Sequence, residues 1–277
     1  MGLTDIPVVA EDGHRYSLRI AETGQPRASL FFLPALGVPA AKYDAFAGAL
    51  AEQGVRVAVG EWRGLGSSSL RAQRGSDWGY EALLTQDLPA ALAALGPGPW
   101  HFGGHSLGGQ FATMLAALQP EACAGLVLIA TGVPDQRLYR GRAGLSIRVF
   151  ARVLPMLTRL CGYYPGHRMG FAGREAGGVM RDWAQTVRTG RYADYGTGEA
   201  LDERMRRLQT RVLGLSMEED WLAPANTLAG LLDKLGPGAR QVMSLDSGQL
   251  GTRADHFRWM RQPEGLARLI GDWLVSP

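Results

Sequence analysis

Residues Gly103-Gly104-His105-Ser106-Leu107-Gly108-Gly109 set a serine between glycines two positions to either side, the G-x-S-x-G spacing of a nucleophile presented on a sharp strand-to-helix turn. Such a turn holds the serine backbone in a strained conformation and crowds its flanks, so the positions of Gly104 and Gly108 tolerate no side chain. An ordinary tight turn also uses Gly and Ser. The string gains weight from its surroundings, an apolar strand pattern before it and a helical pattern after it.

A serine hydroxyl needs a base, and the base needs an acid to hold its tautomer. Of the five histidines, His14 falls in an early polar turn, His101 within a strand, His105 in the turn itself and His167 in a helical region. His256 alone follows the last strand, just before the final helix, where a serine, acid, histidine chain order puts the base. The acid is expected after the strand over 212–217, where Glu218, Glu219 and Asp220 compete. Asp220 is favoured because a turn lets it project toward the loop of His256, while Glu218 and Glu219 read as solvated rim residues and Asp246 and Asp255 remain alternatives. Two backbone N–H groups must receive a developing oxyanion. Leu107, the residue after the nucleophile, supplies one. The loop after residue 33 supplies the other, from Leu36 or alternatively Ala35, since Pro34 has no N–H.

The elements that must position these groups alternate along the chain. Strand patterns over 15–21, 28–33, 55–62, 100–104 and 126–131 are interleaved with helical spacing at Tyr43, Phe46, Ala47 and Leu50, over 80–95 and over 106–118. That order predicts a mostly parallel sheet covered by helices. Between 132 and 210 the alternation stops, leaving amphipathic stretches such as 145–161 and 175–189. It resumes with strands at 212–217 and 241–245 and helices at 227–235 and 263–275. The expected organisation is an α/β core of residues 1–131 and 211–277, with 132–210 inserted as a helical lid.

Composition excludes much else. The chain has 277 residues, 46% hydrophobic, with 38 glycines and 15 prolines scattered without a repeat, so a sizeable core is expected rather than disorder or a fibrous chain. Two cysteines make no disulfide framework. His101 and His105 are four apart, but not on the helical face a zinc pair needs, and Gly64-Leu65-Gly66 lacks the third glycine of a dinucleotide fingerprint. No cofactor, metal or nucleic acid is expected. The first 13 residues carry three acids and no apolar run, and no stretch reaches the ~20 apolar residues of a membrane span, so a cytoplasmic protein is expected.

The net charge of +3 hides an asymmetry: 132–210 holds 14 arginines against 7 acidic residues, and the remainder 15 basic against 19 acidic. Those arginines either coat a solvated outer face, or they draw in an anionic substrate or rest on an anionic membrane as a peripheral contact. The same segment carries Phe150, Met156, Leu157, Tyr163, Tyr164, Met169, Phe171, Trp183, Tyr192 and Tyr195, which divide between core packing and an apolar pocket.

The Ser106 turn, the order Ser106, Asp220, His256, the Glu61-Trp62-Arg63-Gly64-Leu65-Gly66-Ser67 turn and the Pro34-Ala35-Leu36-Gly37 loop together resemble the α/β-hydrolase superfamily. Within it, the chain resembles bacterial serine hydrolases of lysophospholipase and esterase type that carry a helical lid. The resemblance implies an eight-stranded, mostly parallel sheet flanked by helices, and cleavage of a carboxylic ester with an apolar acyl or alcohol part through an acyl-serine, without a cofactor. Serine at the turn disfavours the epoxide hydrolase and haloalkane dehalogenase members. Acyltransferases and thioesterases use the same triad, and a binding or regulatory protein could retain the fold. The chain departs from many members in having Pro34-Ala35 where they have His-Gly, and Glu61 where they have Asp.

Overall fold

A computed structural model describes residues 2–276. The chain opens with an antiparallel pair, β1 (Leu3–Val9) and β2 (Arg15–Ala21), followed by β3 (Ala28–Leu33), α1 (Asp44–Glu52) and β4 (Val55–Val59). A helical segment of α2 (Tyr80–Ala82) and α3 (Leu88–Leu95), joined by a π-helical turn at Leu83–Asp87, leads to β5 (Trp100–His105), α4 (Leu107–Leu118) and β6 (Cys123–Ile129). The eight-stranded sheet is completed much later by β9 (Val212–Met217) and β10 (Arg240–Leu245), and in its spatial order all pairings from β4 to β10 are parallel. Its central strands are apolar on both faces because helices cover both. In β3 the run Leu30 to Leu33 is buried, and β5 is buried throughout.

After β6 the chain leaves the sheet. It forms α5 (Gly141–Cys161), a two-residue hairpin of β7 (Tyr164–Pro165) and β8 (Arg174–Glu175) around α6 (Gly166–Met169), then α7 (Gly177–Thr189) and α8 (Leu201–Arg207). It returns through β9 (Val212–Met217), α9 (Ala225–Leu232), β10 (Arg240–Leu245), α10 (Ser247–Leu250) and α11 (Glu264–Val275). One apolar cluster joins α1 and α11 to the sheet through Phe46, Leu50, Leu266 and Ile270. The cluster on the other face includes Phe111 of α4 and Leu228 of α9, and it continues into the helices between β6 and β9 through Leu154, Met180 and Trp183.

Sheet order β1-β2-β4-β3-β5-β6-β9-β10 has a consequence for the site. From β3 the chain moves outward to β4, and from β5 it moves outward the other way to β6, so the loops leaving β3 and β5 diverge. Between them a crevice opens at the C-terminal edge of the sheet, the usual ligand position in open α/β sheets. The two loops are those of Leu36 and Ser106.

Several elements differ from their sequence reading. Strand β1 was not expected. It is an edge strand, mostly exposed, and so carries no apolar run. Strand β4 stops at Val59 rather than at 62, because the following Glu61 folds back to accept from the N–H of Trp62 (3.2 Å). Strand β6 stops at Ile129 because Ala130 takes a left-handed φ of 44°. Helix α7 starts at Gly177 because residues 174–175 pair as strand with 164–165. Among the described residues no helix is long and apolar enough to cross a membrane.

Candidate active site

Ser106 sits between β5 and α4 with φ 56° and ψ −120°, a backbone conformation that few side-chain-bearing residues adopt. Its neighbours show why the flanking positions are glycine. A Cβ on Gly104 would enter the backbone of Gly108, and one on Gly108 would enter the carbonyls of Leu33 and Pro34. The turn is thus wedged against the end of β3. Thr131 Oγ1 donates to the Ser106 carbonyl and ties the turn to the chain beyond β6.

His256 Nε2 lies 2.9 Å from Ser106 Oγ, and His256 Nδ1 lies 2.7 Å from Asp220 Oδ2. Asp220 is buried, and its other oxygen accepts the N–H groups of Leu222 (2.8 Å) and Ala223 (2.9 Å). Three donors around one carboxylate fix its orientation. With Nδ1–H given to Asp220, the Nε2 lone pair faces the serine hydroxyl, as proton removal from Oγ requires. The competing carboxylates are elsewhere. Glu218 is exposed, Glu219 pairs with Arg253, Asp246 caps α10 and Asp255 accepts from the N–H groups of Phe257 and Arg258.

The two candidates for the second N–H donor, Ala35 and Leu36, differ in their partners. Ala35 N–H is already engaged, donating to the Tyr43 hydroxyl at 2.9 Å. Leu36 N–H makes no hydrogen bond among the described residues, and Leu107 is the first residue of α4, whose N–H has no partner within the helix. Both residues line the same cavity as Ser106. The helix dipole of α4 adds positive potential at this point.

Sequence reasoning missed what braces this arrangement. The Tyr43 hydroxyl, accepting from Ala35 N–H, donates to His105 Nδ1 at 2.8 Å. His105 is fully enclosed; burial, with the nearby His256 adding to it, holds its pKa well below the ordinary histidine value, so it accepts as a neutral ring. Its ring packs 4.8 Å from that of His256. One phenol therefore connects the Leu36 loop to the serine turn. Glu61, the departure noted above, holds the other side of that loop by accepting from Ala40 N–H (3.2 Å), while Trp62 Nε1 donates to the Pro34 carbonyl (3.0 Å). Burial raises the Glu61 pKa.

A second constellation has similar distances and no access. His14 Nδ1 lies 2.9 Å from Asp87 Oδ1 and His14 Nε2 lies 2.8 Å from Ser68 Oγ, all three buried. Arg63 forks onto the same Asp87 carboxylate. Here the serine oxygen accepts from the N–H groups of Gly64 and Leu70 and lies in no sizeable cavity, so it works as a structural tie between distant turns. His14 was read as a polar-turn residue; separations of 54 and 73 residues give no local signal for such a cluster.

Over Ser106 lies a cavity of about 670 Å³, floored by Ser106, Leu107, Gln110 and His256. Phe150, Tyr164, Phe171 and Trp183, from between β6 and β9, line it as an edge-to-face cluster. Met169 also reaches the cavity. Tyr192 instead is buried with its hydroxyl on Gln110 Oε1, Tyr163 lies beneath Arg174, and Met156 is exposed. His101 packs against Trp273, with burial taking its pKa down to about 4. No cluster of potential metal ligands occurs among the described residues.

Residues 30–145 match the model of a family described as alpha/beta hydrolase fold. No curated protein matches the sequence. Among solved structures, an esterase from Thermogutta terrifontis with malate bound is 19% identical at a TM-score of 0.66, with 99% of this chain and 98% of that one covered. The esterase domain of a Rhodothermus marinus protein is 16% identical at 0.62, covering 99% and 98%. A monoacylglycerol lipase from Paleococcus ferrophilus is 19% identical at 0.61, covering 94% and 98%. At such identities the likeness is one of fold.

Proposed function

We propose that the chain, whose residues 30–145 match the alpha/beta hydrolase family model, is a serine hydrolase of that superfamily that cleaves carboxylic esters with an apolar acyl or alcohol part. One observation carries the reading: His256 bridges Ser106 and Asp220 at 2.9 and 2.7 Å on the floor of an apolar cavity. In this scheme Ser106 Oγ attacks the ester carbonyl while His256 Nε2 takes its proton, and the N–H groups of Leu36 and Leu107 receive the oxyanion. His256 then returns the proton to the departing alcohol, leaving an acyl-serine. Water, deprotonated by the same imidazole, releases the acid. Asp220 holds the tautomer and offsets the charge of the transient imidazolium. Residues 132–210 act as a lid on a core of 1–131 and 211–277, and the aromatic cluster on their inner side accepts the apolar part of the ester.

The test is labelling of Ser106 by a fluorophosphonate together with hydrolysis of p-nitrophenyl esters of increasing acyl length. Both are expected in the native chain and both lost in Ser106→Ala. Labelling that persists in that variant overturns the assignment, and an acyl group diverted to an added alcohol in water identifies transfer as the main reaction.

A further inference from the structure

We infer that the outer face of α5 docks on an anionic lipid surface and sets the mouth of the Ser106 cavity against it. This goes beyond the proposed ester chemistry and does not depend on it. Leu145, Val149, Val153, Met156 and Leu160 are each between 51% and 65% exposed, although they are large and apolar. Their spacing of four, four, three and four residues gathers them into a stripe about 80° wide along the helix. Arg148, Arg152 and Arg159 run along one edge of the stripe and Arg142 stands in its first turn. The 21 residues of α5 include no acid, and none of these four arginines forms an ion pair among the described residues. A soluble surface seldom leaves such a contiguous apolar strip uncovered.

Charge selects what covers it. A second copy meeting this face about a two-fold axis would set two acid-free, arginine-bearing helices against each other, with no carboxylate on either to offset the charge. Anionic lipid offers both halves of the match: phosphates for the guanidinium groups and acyl chains for the Leu, Val and Met side chains. Docking is peripheral, since this helix is not apolar enough to span a bilayer. The cavity opens on the same face. Leu145, Val149 and Val153 line it together with the exposed Met169, Trp221 and Phe257. On the loops behind Trp221 and Phe257, Glu219 and Asp255 are paired with Arg253 and Arg258. An apolar molecule leaving the lipid would thus enter the cavity without crossing water.

The experiment is flotation of the full chain with phosphatidylcholine vesicles, with and without about one part in three of phosphatidylglycerol. Native protein is expected to partition about tenfold or more toward the anionic vesicles, and to release as salt is raised. Met156→Glu/Leu160→Glu changes two exposed positions outside the cavity; it is expected to unfold at the native temperature yet lose about tenfold or more in partition. Arg148→Gln/Arg152→Gln/Arg159→Gln is expected to lose the preference for anionic lipid. Native protein left unbound at low salt, or equal flotation by the folded glutamate variant, overturns the inference. So does a dimer that the glutamate variant disrupts in the absence of vesicle binding. Ser106→Ala is expected to float like the native chain, which separates failure of docking from failure of the ester reading.

Discussion

Asp220→Asn is the perturbation whose outcome the site geometry determines most closely. The asparagine has one acceptor and one donor where the carboxylate has two acceptors, so two orientations compete. In one, the amide oxygen keeps the N–H groups of Leu222 and Ala223 and the NH₂ group faces His256 Nδ1. The flipped form restores a bond to Nδ1–H but leaves two buried N–H groups facing an NH₂. Each orphaned group costs about 1–3 kcal/mol, or about 2–6 kcal/mol for the pair, against about 1 kcal/mol for the single neutral bond regained. The first orientation wins. It forces the ring proton onto Nε2, so an N–H rather than a lone pair meets Ser106 Oγ at 2.9 Å. The wrong tautomer in a serine triad lowers kcat by about 10⁴, equivalent to roughly 5.5 kcal/mol. Asp220 does not line the cavity, so KM is expected to stay within about twofold while kcat falls. Steady-state hydrolysis of p-nitrophenyl butyrate, with Glu218→Gln as the unaffected comparison, measures this. A loss below tenfold in Asp220→Asn, with the protein folded, refutes the tautomer reasoning.

Glu175 carries a pH dependence. Burial pushes its pKa up to about 7, with only Gly173 N–H (2.9 Å) drawing it down and Tyr164 beside it. The folded state therefore binds a proton that the unfolded state has released between about pH 4.5 and 7, so its stability contribution is full below 4.5 and is lost as pH rises through 7. Glu175→Gln is expected to stabilise by on the order of 3 kcal/mol at pH 8 and by little at pH 4.5, read by thermal unfolding at the two pH values; equal effects at both would exclude Glu175 as the titrating group. Ser68→Ala removes the hydroxyl that bonds His14 Nε2 and accepts from the N–H groups of Gly64 and Leu70, and is expected to cost about 1–3 kcal/mol of stability while leaving ester hydrolysis unchanged; a matching loss of activity would make the buried cluster part of the site.

The inner strands and the helices that cover the sheet were legible because periodicity is a local property. An apolar run such as Leu30 to Leu33 can be satisfied only between two covered faces, and the spacing of Phe46, Ala47 and Leu50 only on one side of a helix. Where a strand leaned on a neighbour instead of on its own pattern, as β1 does, the sequence was silent. The Ser106 turn was legible for the same reason: its glycines and serine lie within a few residues, and their steric demands are those of the turn itself.

Tertiary structure decided everything that depends on convergence. Chain order named His256 and favoured Asp220, but only the folded loops bring residues separated by 150 and by 36 positions to hydrogen-bonding distance. The Ala35 N–H is taken by a phenol eight residues away in sequence, and that phenol's second partner, His105, lies 62 residues from it. Likewise, 14 arginines and ten apolar or aromatic side chains could be counted between 132 and 210, but not sorted into paired and free, cavity-lining and outward-facing. A side chain's type states what it can bind; its partner is set by which segments the sheet order carries to the same edge, and that information resides in no single stretch of the chain.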